Sequence, residues 1–394
     1  MRILISGAGI AGLSTAINLG ATGHDVTLVE RADHLRVNGS PIDIRGDAID
    51  VADKMGVLEK IRAHRIDMTE RVQFVGADGA VVAEPLRDLI NDSAEDTEIP
   101  REDLTNILYH HLGPSVEVRF GESVAELDDN DRGVDVRFAS GAVDRYDLVV
   151  GADGMHSAVR GLTFGPERQF LHHLGFYTAL AALPEYTPTG RINPMYNFPG
   201  HLAGIATYND NALAVLVFRS PWIDYDYHDL AAQKRILAEA YAGHAEWRVP
   251  ELVDAARRDP ELYFDSVSQI HMPTWHRGRV VLVGDAAHCA SPLSGRGTSL
   301  ALTGAWFLGQ ALRDHPADLG AALEQYEDDQ RPHATRSQAT AAPGGELLVP
   351  ATQDQIDARN RNLSLTREAE SAWDARSTRA RASVVAQASG DSNS

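Results

Sequence analysis

The first twelve residues of the chain contain a glycine pattern that could bind a diphosphate. The apolar segment 2–6 is followed at once by a G-x-G-x-x-G run. In such a run the first glycine permits a tight turn out of a strand, the second lets a pyrophosphate approach the backbone, and the third lets a helix pack closely. The start of that helix directs free N–H groups and the positive end of its dipole at the phosphates. The residues predicted to form this dinucleotide site are Gly7, Ala8, Gly9, Ile10, Ala11 and Gly12.

An acidic residue stands at the expected distance from these glycines. Glu30 follows Gly7 by 23 residues, at the end of the apolar segment 25–29, where its carboxylate can accept hydrogen bonds from an adenosine ribose. The alternative is an ordinary β-α-β unit with a glycine-rich turn, but strand, turn, helix, strand and acidic residue occur here together. Because the pattern occurs once, a second dinucleotide would have to visit the protein transiently.

Two further motifs each place an aspartate directly after a predicted buried strand. Asp153 lies in the run Gly-Ala-Asp-Gly at 151–154, and Asp285 lies in Gly-Asp-Ala-Ala-His at 284–288. Open α/β sheets bind ligands at the carboxyl ends of their strands, and the Asp285 carboxylate could accept hydrogen bonds from ribityl or ribose hydroxyls. Alternatively, Asp153 could simply cap its turn, because Asp-Gly is a common turn pair. The turn 295–298 opens an apolar helix, whose N-terminus could hold the electron-rich edge of a reduced flavin ring.

The order of apolar segments and turns predicts an α/β fold that is interrupted by an insertion. Buried strands are expected at 2–6, 25–30, 147–150 and 279–283, with helices between them. Between about 170 and 263 aromatic residues alternate with turn residues, which indicates an antiparallel sheet with a helix around 231–242. The chain then returns to the first domain.

Composition narrows the class of protein. With 43% hydrophobic and 23% charged residues among 394, the chain is typical of soluble globular proteins, and no apolar run approaches the length of a membrane span. The N-terminus enters a strand without a signal peptide, so a cytoplasmic location is expected. The net charge of −20 argues against nucleic acid and anionic membranes as partners. The single cysteine, Cys289, excludes an internal disulfide, and the spacing around it and His288 predicts neither a metal site nor a nucleophile.

The three motifs, in this order and at these separations, resemble the FAD-dependent aromatic hydroxylases, the para-hydroxybenzoate hydroxylase-like class A flavoprotein monooxygenases. The chain length and the segment 39–46 look like the branch with tetracycline-inactivating monooxygenases and antibiotic-tailoring hydroxylases, and the likeness spans roughly residues 1–340. The resemblance implies a Rossmann-like FAD-binding domain, an inserted antiparallel-sheet substrate domain and C-terminal helices. It assigns 1–75, 99–169 and 266–340 to FAD binding, 76–98 and 170–265 to the substrate domain, 341–385 to C-terminal helices and 386–394 to a disordered tail.

The resemblance also implies an activity. FAD would be the cofactor, NADPH or NADH the transient reductant, and molecular oxygen a substrate. A polycyclic aromatic or polyketide-like small molecule would be hydroxylated through a flavin C4a-hydroperoxide, by a monomer or homodimer, with no catalytic side chain assigned. Baeyer–Villiger oxygen insertion, a flavin-dependent reductase and a non-catalytic FAD- or antibiotic-binding protein remain alternatives, although the intact turn at 295–298 argues against the last.

Further site residues are carried over from the resemblance. Arg36 matches an arginine that docks NADPH, while the other cofactor contacts implied, beyond the glycines and Glu30, are Arg31, Asp43, Arg45, Arg101, Asp153, Asp285, Pro292, Gly295, Gly297 and Thr298. Arg101 could instead be a surface helix residue, and Arg36 could be solvated. Arg296 departs from the family, in which glutamine is common between the two glycines.

The substrate pocket should lie between the flavin and the inserted sheet. Its predicted members are aromatic residues or histidines of the alternating segments, namely Tyr177, Tyr196, Phe198, His201 and Phe218. The alternative is that these side chains pack within the core of the sheet.

Overall fold

The computed structural model describes residues 1–35, 40–66, 71–84, 95–188 and 192–363. Arg36, the expected NADPH contact, lies outside the described residues, as do the tail 386–394 and parts of the segments 76–98 and 341–385. The strands of the described residues, in chain order, are β1 (Arg2–Ser6), β2 (Asp25–Glu30), β3 (Ile42–Ile44), β4 (Arg71–Val75), β5 (Val81–Ala83), β6 (Thr97–Ile99), β7 (Val116–Phe120), β8 (Val124–Asn130), β9 (Gly133–Phe138), β10 (Val143–Tyr146), β11 (Leu148–Gly151), β12 (Leu171–Ala182), β13 (Ile192–Phe198), β14 (His201–Tyr208), β15 (Asn211–Arg219), β16 (Tyr263–Ile270), β17 (His276–Arg277) and β18 (Val280–Leu282).

Helices fill the connections between these strands and complete the C-terminal part. They are α1 (Ile10–Ala21), α2 (Asp47–Lys54), α3 (Leu58–Ala63), α4 (Arg101–Tyr109), α5 (Ala158–Thr163), α6 (Leu230–Ala240), α7 (Val249–Arg258), α8 (Asp285–His288), α9 (Gly297–Asp314), α10 (Leu319–Ala339) and α11 (Ala341–Leu348). None of these helices is long and apolar enough to cross a bilayer.

A six-stranded sheet brings the three sequence motifs to one edge. Its strand order is β17-β18-β11-β1-β2-β7, and all neighbours except β17 and β18 run parallel. Its central strands are apolar and buried on both sides, as parallel strands covered by helices must be. Since parallel strands end at the same edge, the residues after β1, β11 and β18 are neighbours. The Ala152 amide donates to Ser6 and the Val283 amide donates to Gly151.

A seven-stranded sheet forms the second layer of the molecule. Its order is β16-β12-β15-β14-β13-β4-β5, and its neighbours are antiparallel except for the parallel pair β13 and β4. β4 joins this sheet although the sequence analysis ended the first FAD-binding part at residue 75. This arrangement confirms the predicted fold class, a Rossmann-like domain with an inserted and largely antiparallel sheet.

The seven-stranded sheet has two different apolar faces. One face packs under α6 and α7. The other face packs against Leu293, in the turn before α9, and Val349, after α11. Successive side chains of a strand point to opposite faces. Two neighbouring residues of one strand therefore pack against different parts of the protein.

Candidate functional site

The glycine turn after β1 has the geometry that a diphosphate cradle requires. Gly7 has φ +103°, and a Cβ on it would lie 2.6 Å from the carbonyl oxygen of Ala152. A Cβ on Gly12 would lie 1.8 Å from the carbonyl oxygen of Gly7, so close packing demands both glycines. A Cβ on Gly9 would meet no atom within 4 Å. The backbone at Gly9 is therefore open at the N-terminus of α1, where a diphosphate would bind.

Glu30 is held beside this turn by backbone hydrogen bonds. Its Oε2 accepts from the amide of Ala8 and its Oε1 from the amide of Ala32, each at 2.9 Å. A carboxylate oxygen can accept more than one hydrogen bond, so both oxygens retain capacity for ribose hydroxyls. The neighbouring Arg31 contacts the ring of His228 at 3.3 Å, which places it against the loop before α6.

Asp285 and Arg101, two of the predicted FAD contacts, lie close enough for their charges to interact. Asp285 is the first residue of α8, which follows β18 at the carboxyl edge of the six-stranded sheet. The surrounding protein raises the pKa of the Asp285 carboxyl by desolvation, and the positive charge of Arg101 opposes this shift. The carboxyl group at this position could accept hydrogen bonds from a polyol chain, as the sequence predicted.

The turn before α9 meets the strand β3. Arg45 Nη2 donates to Asp43 Oδ2 at 2.7 Å, and the Arg45 amide donates to Ser299 Oγ at 2.9 Å. Gly295 has φ +61°, and a Cβ on it would lie 3.6 Å from Arg45 Nη2. The structure therefore brings together Asp43, Arg45 and Gly295. We call the segment Pro292–Thr298 the flavin-edge turn, because it leads into the N-terminus of the 18-residue helix α9, which favours negative charge.

Asp153 is bound within its own loop. Its carboxylate accepts a short hydrogen bond from the Ser157 hydroxyl and a second from the Val159 amide at 3.1 Å. Desolvation raises the pKa of this carboxyl, which the Ser157 hydrogen bond partly offsets. Asp153 thus acts as a cap of the turn that starts α5, the alternative noted in the sequence analysis, and its expected contact with a dinucleotide remains a prediction.

The five predicted pocket residues lie on the face of the seven-stranded sheet that α6 and α7 cover. Tyr177 stacks on Phe218 with ring centroids 5.5 Å apart, and its hydroxyl accepts from the Ile223 amide at 2.8 Å. His201 Nε2 lies 3.0 Å from the carbonyl oxygen of Ala240, in α6. The residues placed on this covered face are Tyr177, Tyr196, Phe198, His201 and Phe218.

The opposite face of the same sheet meets the flavin-edge turn. Phe176, Leu202 and Val217 are buried there and pack with Leu293 of that turn. The five predicted pocket residues therefore lie on the face that points away from Leu293, one residue along each strand from the side chains that meet it, and their contact with a substrate stays a prediction. Alternation identified the strands, but it carries no information about which of the two faces meets the cofactor.

Comparison with known proteins now identifies the family. A model of the FAD binding domain matches residues 1–174 and 261–341, which contain all three motifs. The chain belongs to this family. The flavoprotein is 37% identical over 367 residues to an uncharacterised protein of Mycobacterium tuberculosis, covering 90% of this chain and 96% of that one.

Named relatives specify the class of enzyme. A flavin-dependent monooxygenase of an unknown prokaryotic organism is 33% identical over 365 residues, which cover 91% of this chain and 94% of that protein. The crystal structure of the tetracycline destructase Tet(51) matches with a TM-score of 0.80 at 31% identity, over 92% of this chain and 95% of that one. The protein is an FAD-dependent monooxygenase, and the resemblance inferred from the motifs is confirmed.

Arg160 links two motifs of the monooxygenase, and the sequence analysis did not single it out. Its guanidinium is fully buried and donates to the carbonyl oxygens of Ala286 at 3.0 Å and Met155 at 2.5 Å, and to Glu167 at 2.8 Å. It therefore holds the Asp153 loop against α8. Its place in the Asp153 motif was visible in the sequence, but its partner Ala286 lies 126 residues away.

His156 of the monooxygenase joins the FAD-binding part to the seven-stranded sheet. Its Nδ1 lies 3.0 Å from Glu167, its Nε2 lies 3.1 Å from Asp265 on β16, and its ring stacks on Tyr227 at 4.1 Å. Burial alone would lower the pKa of His156, but the hydrogen bonds and charges of Asp265 and Glu167 outweigh it and raise the pKa to about 9. The ring is therefore an imidazolium at neutral pH.

His288 and Cys289 are packed inside the monooxygenase, away from solvent. His288 lies against Trp275 with ring centroids 4.6 Å apart, and burial lowers its pKa to about 3. Burial raises the pKa of the Cys289 thiol far above its ordinary value. A neutral buried imidazole and a protonated thiol have packing roles at these positions.

Proposed function

We propose that this monooxygenase uses NADPH or NADH to hydroxylate a polycyclic aromatic or polyketide-like small molecule with molecular oxygen. The observation that carries the proposal is the contact between the flavin-edge turn and an apolar face of the seven-stranded sheet, through Leu293, Phe176 and Val217. The partly exposed apolar side chains that continue this face, among them Val215 and Met195, would suit an aromatic substrate and would help to exclude water from the reaction.

The residues of this chain would bind and orient the reactants. The open backbone at Gly9 and the start of α1 would hold the diphosphate. Glu30 would hold the ribose, and Asp285 the ribityl or ribose hydroxyls. FAD supplies the redox chemistry and the activation of oxygen when it is bound. The N-terminus of α9 would stabilise negative charge at the ring edge, and no protein nucleophile is required.

Relatives support the choice of substrate class. The similar structure is that of a tetracycline destructase, and tetracyclines are fused-ring molecules.

The test is NAD(P)H consumption by the purified, FAD-loaded protein with a panel of polycyclic phenols and antibiotics, followed by mass spectrometry of the products. We expect one compound class to accelerate oxygen-dependent NAD(P)H oxidation and to gain one oxygen atom. Ring expansion instead of a new hydroxyl would assign Baeyer–Villiger insertion. Gain of two hydrogens without oxygen would assign a reductase, and tight binding without any NAD(P)H oxidation would assign a binding protein.

A further inference from the structure

A row of apolar side chains crosses the flavin-side face of the seven-stranded sheet. Leu180 of β12 pairs with Val215 of β15, Val215 with Gly204 of β14, and Gly204 with Met195 of β13. Since directly opposed residues of neighbouring strands share a face, these four positions form one line. Leu180, Val215 and Met195 are only partly buried, and Met195 and Val215 pack against the cluster that contains Leu293. The row therefore continues the sheet face that packs against Leu293, and its side chains are partly exposed there, with Met195 also packed beside Phe74 and Leu363.

Gly204 leaves a recess in the middle of this row, and the side chain of Met195 fills it. A Cβ on Gly204 would lie 2.1 Å from Met195 Sδ, 3.2 Å from the carbonyl oxygen of Pro194 and 3.3 Å from Met195 Cε. The thioether therefore lies flat in the space that any larger side chain at 204 would take. Methionine has flexible torsions and a polarisable sulfur, so it adapts to the shape of what lies on it.

Several polar side chains of β13 and β15, and Arg359 of the C-terminal part, form hydrogen bonds with the protein backbone. Three successive carbonyl oxygens at the end of α11, those of residues 347–349, each accept a hydrogen bond from a different side chain. The donors are Arg359 at 2.9 Å, Asn197 at 2.8 Å and Arg219 at 2.6 Å. Asn193 accepts from the amide of Thr207 at 2.8 Å. Contact with the row thus selects a ligand by its apolar shape.

We propose that Met195 and Gly204 form an adjustable floor of the substrate pocket and set the size of the fused aromatic ring system that the enzyme accepts. This inference rests on the proposed function. A fused ring system of the substrate lies on the thioether of Met195. Because Gly204 has no side chain, that thioether lies close to the sheet and leaves space for the ring system above it. A single ring needs less of this room, so it is less sensitive to the floor.

The test measures binding of 9-phenanthrol, which has three fused rings, and of phenol to the FAD-loaded enzyme by titration calorimetry. Gly204→Ala lifts the thioether of Met195 into the pocket, so we expect the Kd of 9-phenanthrol to rise about tenfold while that of phenol changes less than about twofold. The double variant Gly204→Ala, Met195→Ala removes the thioether and should restore the Kd of 9-phenanthrol to within about threefold. Gly113→Ala is the matched control, because a Cβ there meets no atom within 4 Å.

A second variant keeps the test independent of the stability of Gly204→Ala. Met195→Ala alone deepens the floor, and it should bind the four-ring 1-hydroxypyrene about tenfold more tightly than the wild type does. Equal losses for both probes in Gly204→Ala, or no gain for 1-hydroxypyrene in Met195→Ala, would overturn the inference. So would a wild type that binds neither fused-ring probe with a Kd below about 1 mM.

These outcomes separate the inference from the proposed function. NAD(P)H-dependent oxygen consumption by the wild type tests the function and needs no floor variant. If the wild type consumes oxygen with NAD(P)H but the variants change the Kd values of small and large probes equally, only the adjustable floor is overturned. Absence of NAD(P)H oxidation with every compound overturns the proposed function, whereas the calorimetric ratios still report on the floor.

Discussion

At the scale of single residues, the site depends on a few polar groups whose partners fix their orientation. Glu30 is held by two backbone amides, and desolvation raises the pKa of the Asp285 carboxyl. The two carboxylates belong to different motifs, one at the end of β2 and the other at the start of α8. Each therefore makes a separable contribution to FAD affinity.

Replacement of Asp285 by alanine should weaken FAD binding. Loss of hydrogen bonds to one charged group costs on the order of 2 kcal/mol, which corresponds to about a thirtyfold higher Kd for FAD. Quenching of flavin fluorescence during titration of the apoprotein measures this Kd. Asp354→Ala, on the exposed surface of the C-terminal part, is the control. An unchanged Kd in Asp285→Ala would remove this residue from the FAD site.

The imidazolium of His156 predicts a pH-dependent stability. Its pKa is raised from 6.5 to about 9, so the stabilisation is fully present below pH 6.5 and is lost as the pH rises through about 9. Compared with His156→Gln, the wild type should gain at most about 3 kcal/mol in free energy of unfolding near pH 6, and this difference should shrink by pH 10. Urea unfolding of both FAD-loaded proteins across this range provides the measurement. A difference that stays constant with pH would contradict the assignment.

At the scale of elements, two glycines of the turn from β1 into α1 have different roles: Gly12 is needed for packing, and Gly9 is expected to contact the diphosphate. A Cβ on Gly12 collides with the Gly7 carbonyl, whereas a Cβ on Gly9 meets open space. Gly12→Ala should therefore destabilise the apoprotein by about 3 kcal/mol or more. Gly9→Ala should leave the Tm of the apoprotein nearly unchanged and weaken FAD binding, as measured by thermal unfolding and fluorescence titration. If Gly9→Ala binds FAD as the wild type does, the diphosphate does not approach that backbone.

Tyr177, on the face of the seven-stranded sheet that α6 and α7 cover, is expected to contribute to stability and not to substrate binding. The Tyr177 hydroxyl bonds the loop at Ile223 beneath α6 and α7. Tyr177→Phe should lower the free energy of unfolding by about 1 kcal/mol without changing the KM of an identified substrate. Denaturation and steady-state kinetics measure the two quantities. A raised KM with unchanged stability would return Tyr177 to the substrate pocket.

Local patterns carried most of the fold and part of the site. The glycine turn and Asp285 could be placed at one edge from the sequence, because each follows a buried parallel strand and parallel strands end at the same edge. The flavin-edge turn could be located from its glycines at the start of an apolar helix. The roles of Arg160 and His156 could not be predicted, because Ala286 and Asp265 lie 126 and 109 residues away from them. Phe176, and not Tyr177, lies on the sheet face that meets the flavin-edge turn. The alternation of apolar residues shows that a strand has two faces, but it does not show which face the FAD-binding domain covers.

At the scale of the whole molecule, the two sheets act as separate layers that meet at the site. The six-stranded sheet supplies the cofactor motifs at one edge, and the seven-stranded sheet supplies an apolar wall. Arg160 ties the Asp153 loop to α8, and His156 ties the same loop to β16. The side chains that connect the two sheets therefore lie beside the predicted FAD site.

The most direct test of the account is a turnover experiment under isotopically heavy oxygen gas. The FAD-loaded protein, NADPH or NADH and a responsive polycyclic phenol are incubated together, and the product mass and the reduced nucleotide consumed are measured. The account predicts one heavy oxygen atom in the product and one nicotinamide nucleotide oxidised for each product formed. A product that carries oxygen from water, or that forms at the same rate without oxygen, would contradict the assignment of this protein as a hydroxylating monooxygenase.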